Sequence, residues 1–212
     1  MRTGVIGVGM MGQNHARVYS EISDLVAVSD PDEKQGKKVA KRLGVKWYGN
    51  YRDMLVHVDA VSIAVPTSLH LRIAEDVISS GVNLLIEKPL ASNSKDAEKI
   101  VQLSKKHGVK LAVGHIERHN PVVAYAKKAI DNNDWGEIIT FSSRRVSSYP
   151  ERIKDVGVLF DLSIHDIDVS SYLASATLES IYTTGGSKRA NYEDFVNIVL
   201  NYRSGLVSTC ET

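Results

Sequence analysis

The stretch TGVIGVGMMGQNH, residues 3–15, decides the fold. Its first part, TGVIGV (3–8), is a short apolar run of strand type, and the segment from Met10 to about Ser20 has helical spacing. Between them stand Gly7, Gly9 and Gly12, spaced G-x-G-x-x-G. Such triplets also occur in ordinary turns; a strand before and a helix after give this one its meaning. The first glycine permits a tight turn, the second lets backbone approach a pyrophosphate, and the third lets the helix pack close to the strand. Free N–H groups at the helix start, those of Met10 and Met11 among them, favour phosphate there. Eighteen residues beyond Gly12, closing the apolar run LVAVSD (25–30), stands Asp30. A carboxylate at that strand end accepts from both hydroxyls of an adenosine ribose and repels a 2′-phosphate, so the expected cofactor is NAD rather than NADP. His15, farther along the helix, is expected to be packed or exposed rather than functional.

Outward from this motif, strands and helices keep alternating. Helices are expected over 32–44, 70–81 and 94–108, the last with Ser94 as N-cap, and strands over 45–49, 59–66, 82–88 and 109–115. Together they predict an α/β domain with a doubly wound parallel sheet over residues 1–118. After that the pattern changes. Residues 120–136 read as a helix, 137–149 as a strand with one exposed face, and 156–174 as a helix. LESIYTTGG, FVNIVLNYRSG and LVSTCET read as strands, with RSG as a hairpin turn. Residues 119–212 are expected to be an α+β domain with a mainly antiparallel open sheet. The sequence stops at CET within what reads as a strand, so this domain is expected to be incomplete, as a fragment or a short form.

Composition narrows the function classes. The 212 residues are 43% hydrophobic and 24% charged, as in soluble globular chains, with a formal net charge of +1. A balance that even offers no nucleic-acid or membrane-binding surface. No apolar run is long enough for a membrane span, and the start has no signal-peptide pattern. The single cysteine, Cys210, excludes an intrachain disulfide and fits a cytoplasmic protein.

Two further groups of residues carry chemistry. The first is LLIEKPLASN (84–93), in which a buried apolar run ends in Glu87, Lys88 and Pro89. Ligands in open α/β sheets bind at the carboxyl ends of strands, which is where Lys88 falls, and Pro89 restricts the chain as it leaves. An ammonium there stabilises a developing alkoxide; a plain surface Glu–Lys pair has the same spacing. The second is Asp161-Leu-Ser-Ile-His165, a carboxylate and an imidazole one helical turn apart. Histidine is the natural base near neutral pH, although an i, i+4 Asp/His pair is also a common structural hydrogen bond. Asp166 and Asp168 point to other faces and are expected to be solvated. No ligand cluster for a metal is present.

The pieces GVIGVGMMGQNH, AVPTSLH (64–70), IEKPLA (86–91), VGHIERHNP (113–121) and GVLFDLSIHDID (157–168) occur in one order across nearly the whole chain. In that combination the chain resembles the glucose–fructose oxidoreductase / inositol dehydrogenase family (Gfo/Idh/MocA). The resemblance implies a Rossmann domain, an open-sheet second domain and reversible oxidation of a secondary alcohol on a sugar or cyclitol. It makes Lys88, Asp161 and His165 catalytic, brings Pro66, Thr67 and His70 near the nicotinamide ribose, and puts Glu87 and Lys88 beside the cofactor. It leaves open whether His165 or Lys88 is the base. It also implies a homo-oligomer formed through the C-terminal sheet. His119 departs from the pattern, standing where an aromatic such as Phe is common.

Within the family, residues 113–121 and 142–168 are most similar to UDP-N-acetylglucosamine 3-dehydrogenases. A small sugar or nucleotide-sugar substrate follows, with Arg118, Arg145, Tyr149 and Arg152 as its candidate contacts. Arginines suit a diphosphate or a uronate, and a solvated basic loop would read the same. Rival readings are an inositol or free-sugar dehydrogenase, a non-catalytic NAD-binding regulator, and a reductase of an imine or of biliverdin.

Overall fold

Short apolar runs separated by amphipathic stretches build the first half of the chain as successive strand–helix units. The structure is a computed structural model that describes residues 1–146, 156–189 and 191–212. β1 (Arg2–Ile6) leads into α1 (Met10–Ile22), β2 (Asp24–Ser29), α2 (Glu33–Leu43), β3 (Lys46–Tyr48), the short α3 (Arg52–Leu55) and β4 (Ala60–Ile63). A 3-10 turn, Thr67–Leu69, then precedes α4 (His70–Ser79), β5 (Asn83–Ile86), α5 (Ser94–His107) and β6 (Leu111–Val113). The strands form one parallel sheet in the order β3-β2-β1-β4-β5-β6. Strand order reverses between β1 and β4, which opens a crevice at their carboxyl ends.

Alternation along β1 divides the core. Val5 joins Val8, Ala16, Val28 and Val39 on one face, and Ile6 joins Ile63, Val77, Ile86 and Ile100 on the other. Helix ends follow local chemistry. The Asp32 carboxylate accepts from Gln35 N–H at 3.0 Å, and Gly44 and Gly108 close α2 and α5 in the left-handed region. The cap of α5 is Asn93, whose side chain accepts from Asp96 N–H at 2.9 Å, and not Ser94, the first helical residue. No helix was expected over 52–55; four residues carry too little periodicity to announce one.

The chain divides into two compact units, Met1–Gly114 and His115–Thr212. The division falls just after β6, because residues 116–119 form a 3-10 turn bonded within the second unit. There α6 (Pro121–Asp131) starts at Asn120, which caps Val122 N–H. It stops five residues short of the expected 136, as Asn133 and Gly136 turn the chain with positive φ. β7 (Thr140–Arg144) follows; the rest of the strand expected through Tyr149 lies outside the described residues. The helix expected over 156–174 is a π turn, Leu159–Ser163, continued by α7 (Ile164–Ala174). β8 (Leu178–Gly186), β9 (Phe195–Tyr202) and β10 (Val207–Glu211) complete a sheet ordered β7-β10-β9-β8. Within this sheet, among the described residues, only β7 and β10 pair in parallel. Val196, Ile198 and Leu200, alternating along β9, form this unit's core with Cys210, Ile167 and Ala174.

Ile63 is fully buried at the centre of the first unit. Ile63→Ala is expected to cost about 2–5 kcal/mol of unfolding free energy in a urea titration; a loss below about 1 kcal/mol would contradict this packing.

Candidate functional site

The glycine loop closes because its residues lack side chains. Gly7 has φ +81°, and a Cβ there would lie 2.6 Å from the Ala64 carbonyl oxygen. A Cβ on Gly12 would lie 1.8 Å from the Gly7 carbonyl oxygen, so α1 meets β1 at backbone contact. Gly9 is different: nothing of the protein comes within 4 Å of a Cβ built there. That open side, beside helix N–H groups with no side-chain cap, is what a phosphate requires. Met10 and Met11, which open α1, are exposed.

Asp30 closes the same loop. Val8 N–H donates to its Oδ2 at 2.8 Å and Asp32 N–H to its Oδ1 at 2.9 Å. Trp47 Nε1–H donates to its carbonyl at 3.1 Å. Each carboxylate oxygen keeps lone pairs for a ribose hydroxyl. A cavity of about 460 Å³ lies here, lined by Gly7, Gly9, Asp30, Tyr51, Pro66 and Arg72 among others. The residues present therefore fit a dinucleotide. Tyr51 carried no motif in the sequence. It is buried, donates to Asp76 Oδ2 at 2.5 Å, and burial together with that carboxylate pushes its phenol up to about 12.

At the end of β5, Glu87 is buried and Lys88 half-buried, and the Lys88–Pro89 peptide is cis. His15 Nε2 lies 2.8 Å from Glu87 Oε1, and Lys88 N–H donates to Oε2 at 3.1 Å. Burial alone would raise the Glu87 pKa. The His15 bond and charge, with the Lys88 N–H, outweigh it and leave the group below its ordinary 4.5. His15 is thus neither loosely packed nor exposed. Its Nδ1 lies 3.1 Å from Ser62 Oγ, which donates to Tyr19 Oη at 2.7 Å.

His70, expected beside the cofactor, is 1% exposed. Its Nδ1 lies 3.0 Å from the Pro89 carbonyl oxygen and its Nε2 3.0 Å from that of Val65. The ring ties together the two loops that carry Pro66 and Lys88. Thr67 is half-buried in the 3-10 turn that follows Pro66.

In the second unit, Asp161 lies in the π turn and His165 in the first turn of α7, both half-buried. Ile164 N–H reaches the Leu159 carbonyl five residues back, so the helix is widened between them. Such single π turns recur at functional sites. Asp166 and Asp168 are not solvated. Asp166 is 8% exposed and takes Arg145 Nε at 3.0 Å and Nη2 at 3.2 Å. Asp168 takes Arg118 Nε at 2.8 Å and Nη2 at 2.6 Å, with His115 Nδ1 3.6 Å from its Oδ1. Two helical residues two apart lie about 200° apart around the axis, so each carboxylate meets a different arginine. The forks of Arg118 and Arg145, expected to bind substrate, are thus taken up by these pairs. Arg145 also lines a cavity of about 300 Å³ with Leu162, Lys188, Arg189, Asp194 and Phe195. Tyr149 and Arg152 lie outside the described residues. Among the described residues no group of three or more His, Cys, Asp or Glu could hold a metal, and no helix is long and apolar enough to cross a membrane.

Residues 1–115 match the oxidoreductase family with an NAD-binding Rossmann fold, and residues 123–212 match the GFO/IDH/MocA C-terminal domain. The chain belongs to the GFO/IDH/MocA oxidoreductase family, and its first unit is an NAD-binding Rossmann unit. UDP-N-acetylglucosamine 3-dehydrogenase of Acidithiobacillus ferrooxidans is 33% identical over 208 residues, 98% of this chain and 65% of that protein. The scyllo-inositol 2-dehydrogenase (NAD(+)) of Bacillus subtilis is 33% identical over 191 residues, 85% of this chain and 56% of its own length. The chain thus spans less than two thirds of either relative. A solved structure of the Acidithiobacillus enzyme matches with a TM-score of 0.93 at 32% identity, over 100% of this chain and 69% of that one. The scyllo-inositol dehydrogenase of Lactobacillus casei, solved with NAD(H) and scyllo-inositol, shares the fold with a TM-score of 0.87 at 22% identity.

Asp30→Ser removes the carboxylate that braces Val8 and lines the cavity beside the glycine loop. NAD affinity measured by calorimetry is expected to fall roughly tenfold or more, about 1.4 kcal/mol. A carboxyl held below its unfolded pKa adds stability above that value and loses it as the pH falls through the folded one. Unfolding free energy is therefore expected to drop more steeply below about pH 4.5 in the wild type than in Glu87→Gln, measured by urea titration at stepped pH. Parallel curves would show that the Glu87 pairing adds nothing.

Proposed function

We propose that the protein is an NAD-dependent dehydrogenase of a secondary hydroxyl on a sugar or nucleotide sugar, with C3 of UDP-N-acetylglucosamine as the first candidate. The observation that carries the reading is Lys88, fixed at the carboxyl end of β5 beside the strand reversal by Glu87, on the edge where an α/β sheet presents its ligand. The candidate substrate rests on the similarity to the Acidithiobacillus enzyme. NAD, when bound, would supply the acceptor for the hydride that leaves the carbinol carbon. The chain's own residues do the rest. The Gly7–Gly12 loop and the start of α1 hold the pyrophosphate, and Asp30 holds the ribose hydroxyls. Lys88 stabilises the oxygen as its bond to carbon becomes a carbonyl. His165 takes the hydroxyl proton, with Asp161 orienting it. The opposite assignment, with Lys88 as base, uses the same residues.

An inositol or free-sugar dehydrogenase is the second reading, favoured by the Bacillus relative. A non-catalytic NAD-binding regulator would have no use for Lys88, Asp161 and His165 together. Self-association through the C-terminal sheet is part of the proposal, supported by β8, on which Ile181 and Tyr182 are exposed.

The test follows NADH absorbance over UDP-sugars, free sugars and inositols. Turnover of one UDP-sugar is expected. Lys88→Ala is expected to lower kcat by at least about a hundredfold while the Kd for NAD changes less than about threefold. Near-normal turnover in that variant would sink the role given to Lys88.

A further inference from the structure

We infer that Glu193 is a positioning residue for Asp161: with its backbone and its carboxylate it caps the open start of the π turn, and so fixes where Asp161 stands along that turn. The inference rests on the role proposed for Asp161, but the tie itself is read without substrate or cofactor.

The start of a helix leaves N–H groups without partners inside it. Here two of them are met by one residue of the segment that enters β9. Val158 N–H donates to the Glu193 carbonyl at 3.0 Å, and Leu159 N–H donates to Glu193 Oε1 at 3.2 Å. A carboxylate suits the place, since the π turn and α7 run on together over 159–174 and their start carries the positive end of the dipole. Room for it exists because residue 157 is a buried glycine. A Cβ there would lie 2.1 Å from Glu193 Cδ and Oε1 and 2.2 Å from Oε2. The carboxylate therefore rests on the Gly157 backbone, and the Gly157 carbonyl in turn accepts from Asp161 N–H at 3.1 Å.

The other end of the turn is tied to the same strand start. Ser163, fully buried, donates through Oγ to Thr212 Oγ1 at 2.8 Å, and Thr212 exchanges two backbone bonds of 2.9 Å with Val196. Glu193 and Val196 thus pin the turn at both ends from one short stretch of chain. A π turn is rare, and ordinary α-helical bonding is the commoner alternative for the same residues. Released at its start, the turn can relax toward that bonding, which moves Asp161 relative to His165 on the turn that follows. A catalytic geometry tolerates such a shift badly. Glu193 acts here through the backbone of the turn, and no motif in the sequence announced it.

The experiment follows amide hydrogen exchange by NMR on the full chain, without NAD, in wild type, Glu193→Ala, Glu193→Gln and Gly157→Ala. Glu193→Ala removes the acceptor and is expected to speed exchange at Leu159 and Asp161 roughly three- to tenfold, as the loss of a cap does, while Ile198 in the core of β9 changes less than about twofold. Glu193→Gln keeps Oε1 and is expected to stay near the wild type. Gly157→Ala keeps the acid but fills its place. It is expected to reproduce the rise, and the double variant to go no higher than the larger single effect. Where Glu193→Ala folds poorly, Gly157→Ala reads the same contact. No change at Asp161, or an equal rise at Ile198, overturns the inference. On a substrate that turns over, Glu193→Ala is expected to lower kcat at least about fivefold, with KM and the Kd for NAD within about twofold, and Glu193→Gln to restore it. An unchanged kcat beside raised exchange overturns the positioning role. A rise confined to the turn in a chain that oxidises no sugar upholds the tie and tells against the dehydrogenase reading alone.

Discussion

Val8 N–H donates to Asp30 Oδ2 across 2.8 Å, and that bond joins the end of β1 to the end of β2. Parallel strands that stop at the same edge leave backbone groups without ladder partners, and buried N–H groups must find acceptors. Here the acceptor is a side chain, the Asp30 carboxylate, rather than a neighbouring strand. The loop is therefore held by that carboxylate, and Gln35, donating to the Val8 carbonyl at 2.8 Å, holds it from α2. With the loop fixed, the first turn of α1 is fixed, and with it the ring of His15. His15 on α1 meets Glu87 at 2.8 Å, so α1 also braces the end of β5.

The second unit solves a different problem. Asp166 and Asp168 on α7 are both drawn out of water, which is costly unless each is paired with good geometry. Bidentate arginines supply that geometry, and they come from two different places, the 3-10 turn at 116–119 and the end of β7. The pairs fix the orientation of α7 around its own axis, and so the direction of the π turn that carries Asp161. Arg118 and Arg145, the candidate substrate contacts, brace the helix that bears the Asp161–His165 pair.

How far this was legible depends on the range of each interaction. The glycine loop, Asp30, the alternation of strands with helices and the mostly antiparallel second sheet are written in local periods and spacings, and all of them are found. Features set by partners far away in the chain were not readable. Arg118 and Asp168 are 50 residues apart, and His15 and Glu87 are 72 apart. A histidine on a helix face gives no local sign of which carboxylate it will meet. The partners of His70 were hidden for the same reason, since they are backbone oxygens that leave no trace in a side-chain pattern. Small local errors have local causes. The α5 cap moved one residue because Asn93 and Ser94 are both good caps, and a π turn shares the apolar spacing of the helix that follows it.

The parallel pairing of β7 with β10 sets the order in which the second unit is assembled. β9 and β10 join through a tight hairpin, but Ser142 meets Thr209 across 67 residues of sequence. Such high contact order slows folding, because the entropy of closing the long loop is lost before the strand contacts form. β7 stays at the edge of the described sheet even after β10 pairs with it, and its exposed Ser142 and Arg144 are side chains that discourage pairing with another chain. The polar character of that strand thus serves the nascent chain as much as the finished one.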